Sequence, residues 1–182
     1  AQPAVSNVRP LLNEVITIQA NGVDALSGVA SEVCGTTATD SVSLLVKRVN
    51  CTVTDDAGNS VVRQTAYRVV YGFQGFTDTV LNPGFWNAAG LNQPITFKFK
   101  VLDANGDPVT GIPSAAFAST AVACPARVSN TAPVSVEAHG FVDLGNGDYE
   151  FTWVSPASAS CLRLVLELGD GSVNYRAQFK FQ

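Results

Sequence analysis

The sequence predicts an all-β chain of two tandem immunoglobulin-like β-sandwich domains, each with one disulfide, over residues 1–72 and 73–182. Three observations lead there. Apolar and polar residues alternate with a period of two in run after run, the pattern of strands with one buried and one wet side. The runs are separated by clusters of Gly, Asn and Asp, which tolerate positive φ. No window of helical length repeats its apolar residues at helical spacing.

The elements follow in order. A proline-containing leader, residues 1–10, carries Ala4, Val5 and Val8 and is followed by Leu11 and Leu12. Val15–Gln19 alternates loosely, Ser41–Val46 is rich in β-formers, and Val49, Cys51 and Val53 alternate with polar residues. Asp55-Asp-Ala-Gly-Asn59 reads as a turn into a strand over Val61–Tyr71. A boundary falls near Tyr71–Pro94, where Gly72-Phe-Gln-Gly-Phe76 and Asn82-Pro-Gly-Phe-Trp86 interrupt the strand pattern. Ile95–Val101 then alternates strictly, as do Tyr149–Trp153, Leu162–Leu168 and Tyr175–Phe181. Asp103–Pro108, Gly145–Asp148 and Gly169–Gly171 supply the turns, and the Ala-rich Pro113–Ala123 stretch is expected to hold a turn of helix. A complete immunoglobulin-like domain needs about 100 residues, whereas about 60 remain in the first domain after the leader, so an incomplete sheet is expected there.

Composition narrows the function. Of the 182 residues 46% are apolar and 14% charged, with a net charge of −4. An ordinary soluble domain carries about 25% charged residues. The chain has the apolar content for a core and is not disordered, and its charge balance does not suit bulk nucleic-acid binding. No stretch reaches the length of a membrane span. There is no methionine, and the Ala1-Gln-Pro start is what a secreted chain looks like after signal-peptide removal, although a trimmed chain would look the same. Cys34, Cys51, Cys124 and Cys161 form no C-x-x-C pair, and His139 is the single histidine. That argues for two disulfides in an oxidising compartment rather than zinc. Four cysteines allow three connectivities; Cys34–Cys51 with Cys124–Cys161 keeps each bridge within one proposed domain. An extracellular or cell-surface location follows.

Two segments resemble known modules. Cys51-Thr-Val-Thr-Asp-Asp-Ala-Gly-Asn59, Ser27-Gly-Val-Ala-Ser31 with Cys34, and Ala66–Phe76 resemble a HYR-like immunoglobulin repeat of bacteria and archaea. Gln93-Pro-Ile-Thr-Phe-Lys-Phe99 resembles a loose form of the PxKF signature. It is followed in that domain's order by Cys124, Asn146-Gly-Asp-Tyr149, Trp153, Cys161 and Asp170-Gly-Ser172. The resemblance spans roughly residues 25–182. It implies tandem extracellular β-sandwiches on secreted or surface proteins and brings no catalytic residues with it. Such modules usually end much longer proteins.

The candidate sites are few. His139 beside Glu137 lacks a nucleophile elbow and reads as a loop histidine. Asp103-Ala-Asn105-Gly-Asp107 starts like a calcium loop but has Pro108 and Ser114 where an EF-hand needs Gly and Glu, so a hairpin turn is the better account. No metal or other cofactor is expected; Asp55, Asp56 and Asn59 are weak calcium candidates, with a turn again preferred. Asn50-Cys51-Thr52 is a formal glycosylation sequon that competes with a Cys51 disulfide. Lys98, Lys100 and Lys180 could enter a lysine–amide crosslink, but alternating strands already place them in water. Phe73, Phe76, Phe85 and Trp86 are expected to fix the angle between the domains; Phe85 and Trp86 are the candidates for stacking on a sugar.

No paired carboxylates, nucleophile motif or phosphate loop suggests an enzyme. Three functions remain. The first is a subunit of a cell-surface fibre or layer that partners with copies of itself, its leader (Ala4, Val5, Val8, Leu11, Leu12) entering a neighbour's incomplete sheet. The leader's pairing within its own domain is the competing arrangement. The second is a monomeric spacer or adhesion module, and the third a carbohydrate-binding accessory module. The low charge favours the first, because monomers usually protect their edge strands with charge.

Overall fold

The computed structural model describes residues 2–124, 134–136, 139–159, 161–172 and 175–182, with Ser135, His139 and Tyr175 as backbone only. The described chain is all-β. It divides into two compact units, Ala1–Val70 and Tyr71–Gln182.

In the first unit, β1 (Ala4–Val5) pairs antiparallel with β2 (Ile18–Gln19). A separate sheet of β3 (Val29–Cys34), β4 (Lys47–Asp55) and β5 (Ser60–Tyr67) runs in the order β3-β4-β5, antiparallel throughout. The alternation read in β4 sets its faces: Val49 and Cys51 are buried, and Arg48 and Asn50 lie exposed. The core is small. Ile16, Val49, Tyr67 and Val69 are buried together, with Val5, Leu12, Ile18 and Val42 packed against them. Tyr67 also fastens the loop above it: its hydroxyl accepts from Ala38 N at 2.9 Å and donates to Ala38 O at 3.0 Å. The expected strand over Ser41–Val46 is not formed. Those residues make bends in which Leu44 and Leu45 are exposed, while Lys47 Nζ ties the loop by donating to Ala38 O and Ser41 Oγ.

The second unit is a two-layer sandwich. One sheet has the order β11 (His139–Gly145), β12 (Asp148–Val154), β8 (Pro94–Leu102), β6 (Gly72–Thr77). The other has β10 (Val134–Val136), β9 (Ala116–Ala121), β13 (Cys161–Glu167), β14 (Tyr175–Phe181), β7 (Asn87–Ala89). All pairs are antiparallel except β14 with β7. Strict alternation in β8 and β12 buries Phe97, Phe99, Val101, Tyr149 and Phe151 at 0% exposure. Their rings meet those of the facing sheet: Phe151 lies 3.7 Å from Phe117 between centroids, and Phe97 5.7 Å from Phe179. An edge-on ring pair such as Phe97–Phe179 adds about 0.5–1.5 kcal/mol beyond area burial.

Three expectations are corrected here. The Ala-rich stretch is the strand β9, because pairing with β13 outweighs alanine's helical preference. Phe73 and Phe76 do not serve as a linker cluster: they lie on β6 and pack on Phe99 and Phe97 inside the second unit's core. The residues from 72 onward therefore belong to that sandwich. Gln178, which its strand position would place in solvent, is 7% exposed.

Both disulfides are formed, Cys34–Cys51 and Cys124–Cys161. The first staples directly opposed residues of β3 and β4. The second ties β13 to the chain after β9.

Candidate assembly surface

The three-stranded sheet of the first unit has two open edges. Among the described residues, β3 and β5 pair with β4 only, so each leaves one row of backbone donors and acceptors unpaired by any strand. β3 is exposed up to Cys34, and β5 is exposed from Ser60 to Gln64 before it turns into the core at Tyr67. On the face opposite the core, Val33, Thr52 and Val62 form one cross-strand row, with Val33 64% and Val62 55% exposed. Neither strand contains a lysine, the residue that most often blunts an edge. Each carries one charge, Glu32 on β3 and Arg63 on β5.

The leader reaches β5 without pairing to it: β1 lies close to β5 but, among the described residues, forms its ladder with β2 alone. Beyond β5 the chain runs on through Arg68 and Val70, and here the leader lies alongside. Arg68 N donates to Val8 O at 3.0 Å, Val70 N to Pro10 O at 2.9 Å and Leu12 N to Val70 O at 2.9 Å, and Leu11 bridges Val70 in parallel. Ala4 and Val5 are in β1, paired with Gln19 and Ile18. Glu14 holds the turn that follows, accepting from Leu11 N at 2.8 Å and from Asn7 Nδ2 at 2.9 Å. The leader proposed for donation to a neighbour is thus paired within its own unit. Its backbone groups find partners at Thr17, Arg68 and Val70, and Pro10 is fully buried.

The calcium candidates build a hairpin. Asp55 accepts from Asn59 N at 2.7 Å and from Asn59 Nδ2 at 2.8 Å, closing the β4–β5 turn with Gly58 at φ +87°. The Asn59 contacts and the Ala57 amide hold the Asp55 carboxyl below its ordinary range. Asp56 is exposed on the same turn. Asp103 likewise accepts from Asn105 N and Asp107 N and shapes the turn after β8. Among the described residues no group of three or more His, Cys, Asp or Glu converges as metal ligands would.

The remaining candidates lie apart. Trp86 is half-buried and lines a cleft of about 280 Å³ with Val80, Leu81 and Ile95, while Phe85 is 62% exposed. Asn50 is exposed on β4 and accepts from Gln64 Nε2 at 3.0 Å, beside the disulfide-bonded Cys51. Lys98 pairs with Asp78 at 3.2 Å and Glu150 at 3.8 Å, and Lys100 with Asp148 at 3.0 Å, all on the wet face of their sheet. Lys180 is exposed on β14. His139 opens β11 opposite Thr152, and Glu137 lies outside the described residues.

Sequence reasoning passed over the polar clasps. Asn82 accepts from Phe76 N at 2.7 Å and donates to Phe76 O at 2.9 Å, filling the space where any side chain at Gly75 (φ +107°) would have to sit. Asn87, 6% exposed, clasps Leu81 in the same way and also donates to Gln178 O. Asp170, 0% exposed, accepts from Tyr71 N and Ser172 N. Tyr149 joins Val109 O and Ile112 N through its hydroxyl, and burial raises its pKa.

No protein-family model matches the chain and no curated protein is significantly similar to it. Among solved structures it is similar to the Lin-41 filamin domain, at 12% identity and TM-score 0.38 over 62% of this chain and 91% of that one. It is similar to domains 4 and 5 of the S-layer protein SbsC, at 12% identity and TM-score 0.34 over 100% and 98%. A third similarity is to SGBP-B of the Bacteroides ovatus mixed-linkage glucan utilization locus, solved with a mixed-linkage heptasaccharide, at 11% identity and TM-score 0.28 over 100% and 47%. At these values the likeness carries no argument about function.

Proposed function

We propose that the chain is a non-enzymatic structural module of an extracellular or cell-surface assembly, a subunit that associates with copies of itself. One observation carries this reading: the first unit presents a three-stranded sheet with two exposed edges, unpaired among the described residues and without lysine. Such an edge is a template for another strand. The disulfides suit an oxidising compartment. Cys34–Cys51 also helps the first unit, with its few buried apolar residues, hold its shape. The leader's pairing at home favours contact between folded edges over donation of the leader.

Light scattering coupled to size exclusion, over a hundredfold range of concentration, tests the reading, with electron microscopy of the concentrated sample. Growth in mass with concentration is expected. A monomer throughout, with no ordered particles, would overturn the proposal in favour of an inert spacer.

A further inference from the structure

We infer that the contact between copies joins unlike edges: β5 of one copy takes β3 of the next. This rests on the self-association proposed above and names the surface that would perform it.

Strand direction comes first. β3 and β5 each run antiparallel to β4, so they are parallel to one another. A copy displaced along the sheet, without turning over, therefore brings β3 beside β5 with its core face on the same side. The strands are comparable in length, 6 residues against 8.

Charge then selects among the possible pairings. The register aligns Glu32 with Val53 and Val61, and Cys34 with Cys51 and Arg63. Glu32 and Arg63 thus lie on one face, at opposite edges of the sheet, and both are exposed. A β5–β5 contact would bring arginine toward arginine, and a β3–β3 contact glutamate toward glutamate. Only β3 with β5 opposes unlike charges, directly or one pair along, and both spacings are within reach of long side chains. One carboxylate oxygen of Glu32 takes the Gly22 amide, which fixes the side chain and leaves its second oxygen for a guanidinium. Arg63 Nη1 donates to its neighbour's carbonyl, Val62 O, at 3.1 Å. A single charge on each edge therefore disfavours like edges and favours the unlike pair, which is specificity built from repulsion as much as attraction. On the outer face the same contact extends the exposed Val33–Thr52–Val62 row onto the neighbour, covering apolar surface that is wet in the single chain. Each copy still offers one free β3 and one free β5, so the contact is heterologous and repeats into a filament or a large ring.

Sedimentation velocity of the whole chain tests this with Arg63→Glu, Glu32→Arg, the double variant and an equimolar mixture of the two single variants. Circular dichroism checks that each one folds, and Arg63→Gln with Glu32→Gln serves if a charge reversal does not. Each single reversal is expected to raise the concentration needed for assembly about tenfold, and the double variant and the mixture to recover it. If the single variants assemble like the wild type, or if neither the double variant nor the mixture recovers, the β3–β5 contact is wrong while self-association stands. If the wild type itself stays monomeric, both fall.

Discussion

Removing residues 1–12 should unfold the first unit and leave the second intact. The structure sets the magnitude. Besides the short β1–β2 ladder, four inter-segment backbone bonds are lost: Ser6 N to Thr17 O, Arg68 N to Val8 O, Val70 N to Pro10 O and Leu12 N to Val70 O. At about 0.5–1.5 kcal/mol each they contribute about 2–6 kcal/mol. Val69 and Val70, 1% and 7% exposed, lose part of their cover, and a fully exposed valine costs about 1.5–3 kcal/mol. The total, about 4–8 kcal/mol, compares with about 4–10 kcal/mol expected for a unit of this size. The truncated unit should sit at or below its folding threshold. The assay separates the units without further labelling, because both tryptophans, Trp86 and Trp153, belong to the second. In a guanidinium titration the fluorescence transition should keep its midpoint, while far-UV circular dichroism loses its first-unit component. Adding back a peptide of residues 1–12 at millimolar concentration should restore part of that signal. If dichroism and fluorescence both match the full chain, the leader is not part of the first unit's structure and is free to pair elsewhere.

Further outcomes follow from single groups. Tyr149→Phe removes a buried hydroxyl that bonds Val109 O and Ile112 N; it should cost the second unit about 1–3 kcal/mol, read by tryptophan fluorescence in guanidinium. Burial raises the pKa of Tyr71 and Tyr149. Their contribution is therefore complete below the unfolded tyrosine value of about 10 and is lost as pH climbs through the folded values, so alkaline unfolding of the second unit should begin near there and absorbance titration should show two late phenols. The amides of Gly111 and Gly145 lower the pKa of Asp143. Its contribution is present above about pH 4 and fades as pH falls through the folded value, so Asp143→Asn should flatten the acid limb of the second unit's stability curve. Reducing the disulfides, which close loops of 17 and 37 residues, should cost about 3 and about 4 kcal/mol on the chain-entropy model, with the larger relative effect on the first unit.

Legibility in the sequence tracked the amphipathic pattern. β8 and β12 alternate because one side faces an aromatic core and the other is wetter, so period two marked them; β13 and β14 carry the same sequence pattern, although Val165 and Gln178 on their other side are buried too. β3 is exposed along most of its length, and no burial forces it to alternate. Only pairing with β4 and the Cys34–Cys51 bridge make it a strand. β9 is short and Ala-rich and takes its conformation from β13, a partner more than forty residues away. Phe73 and Phe76 stood among glycines, which reads as a loop. The structure places Gly75 at positive φ, where Asn82 fills the space a side chain would need, so the interruption is a bulge within a strand. Asn82, Asn87 and Asp170 each satisfy distant backbone groups, and no local pattern announces such a bond. At the candidate surface the residue types were readable. That Glu32 and Arg63 share a face at opposite edges required the register.

The shortage of charge takes on a more specific meaning once it is placed on the strands. In the second unit the wet face of β8 and β12 carries opposed pairs, Lys98 with Glu150 and Lys100 with Asp148, next to one another in the same sheet. Exposed pairs of this kind add little stability, about 0–1 kcal/mol, yet each leaves little net charge for another molecule to complement. In the first unit Glu32 and Arg63 are of opposite sign but are held apart by β4 and cannot satisfy one another within the chain. Separated complementary charges on exposed, lysine-free edges are what a repeating contact needs, whereas an inert spacer would be better served by like charges on both. The first unit pairs Lys47 with Asp40 much as the second pairs its inner-strand charges, but at its sheet edges it leaves Glu32 and Arg63 complementary, and it is this placement, more than the low total, that favours assembly through the first unit.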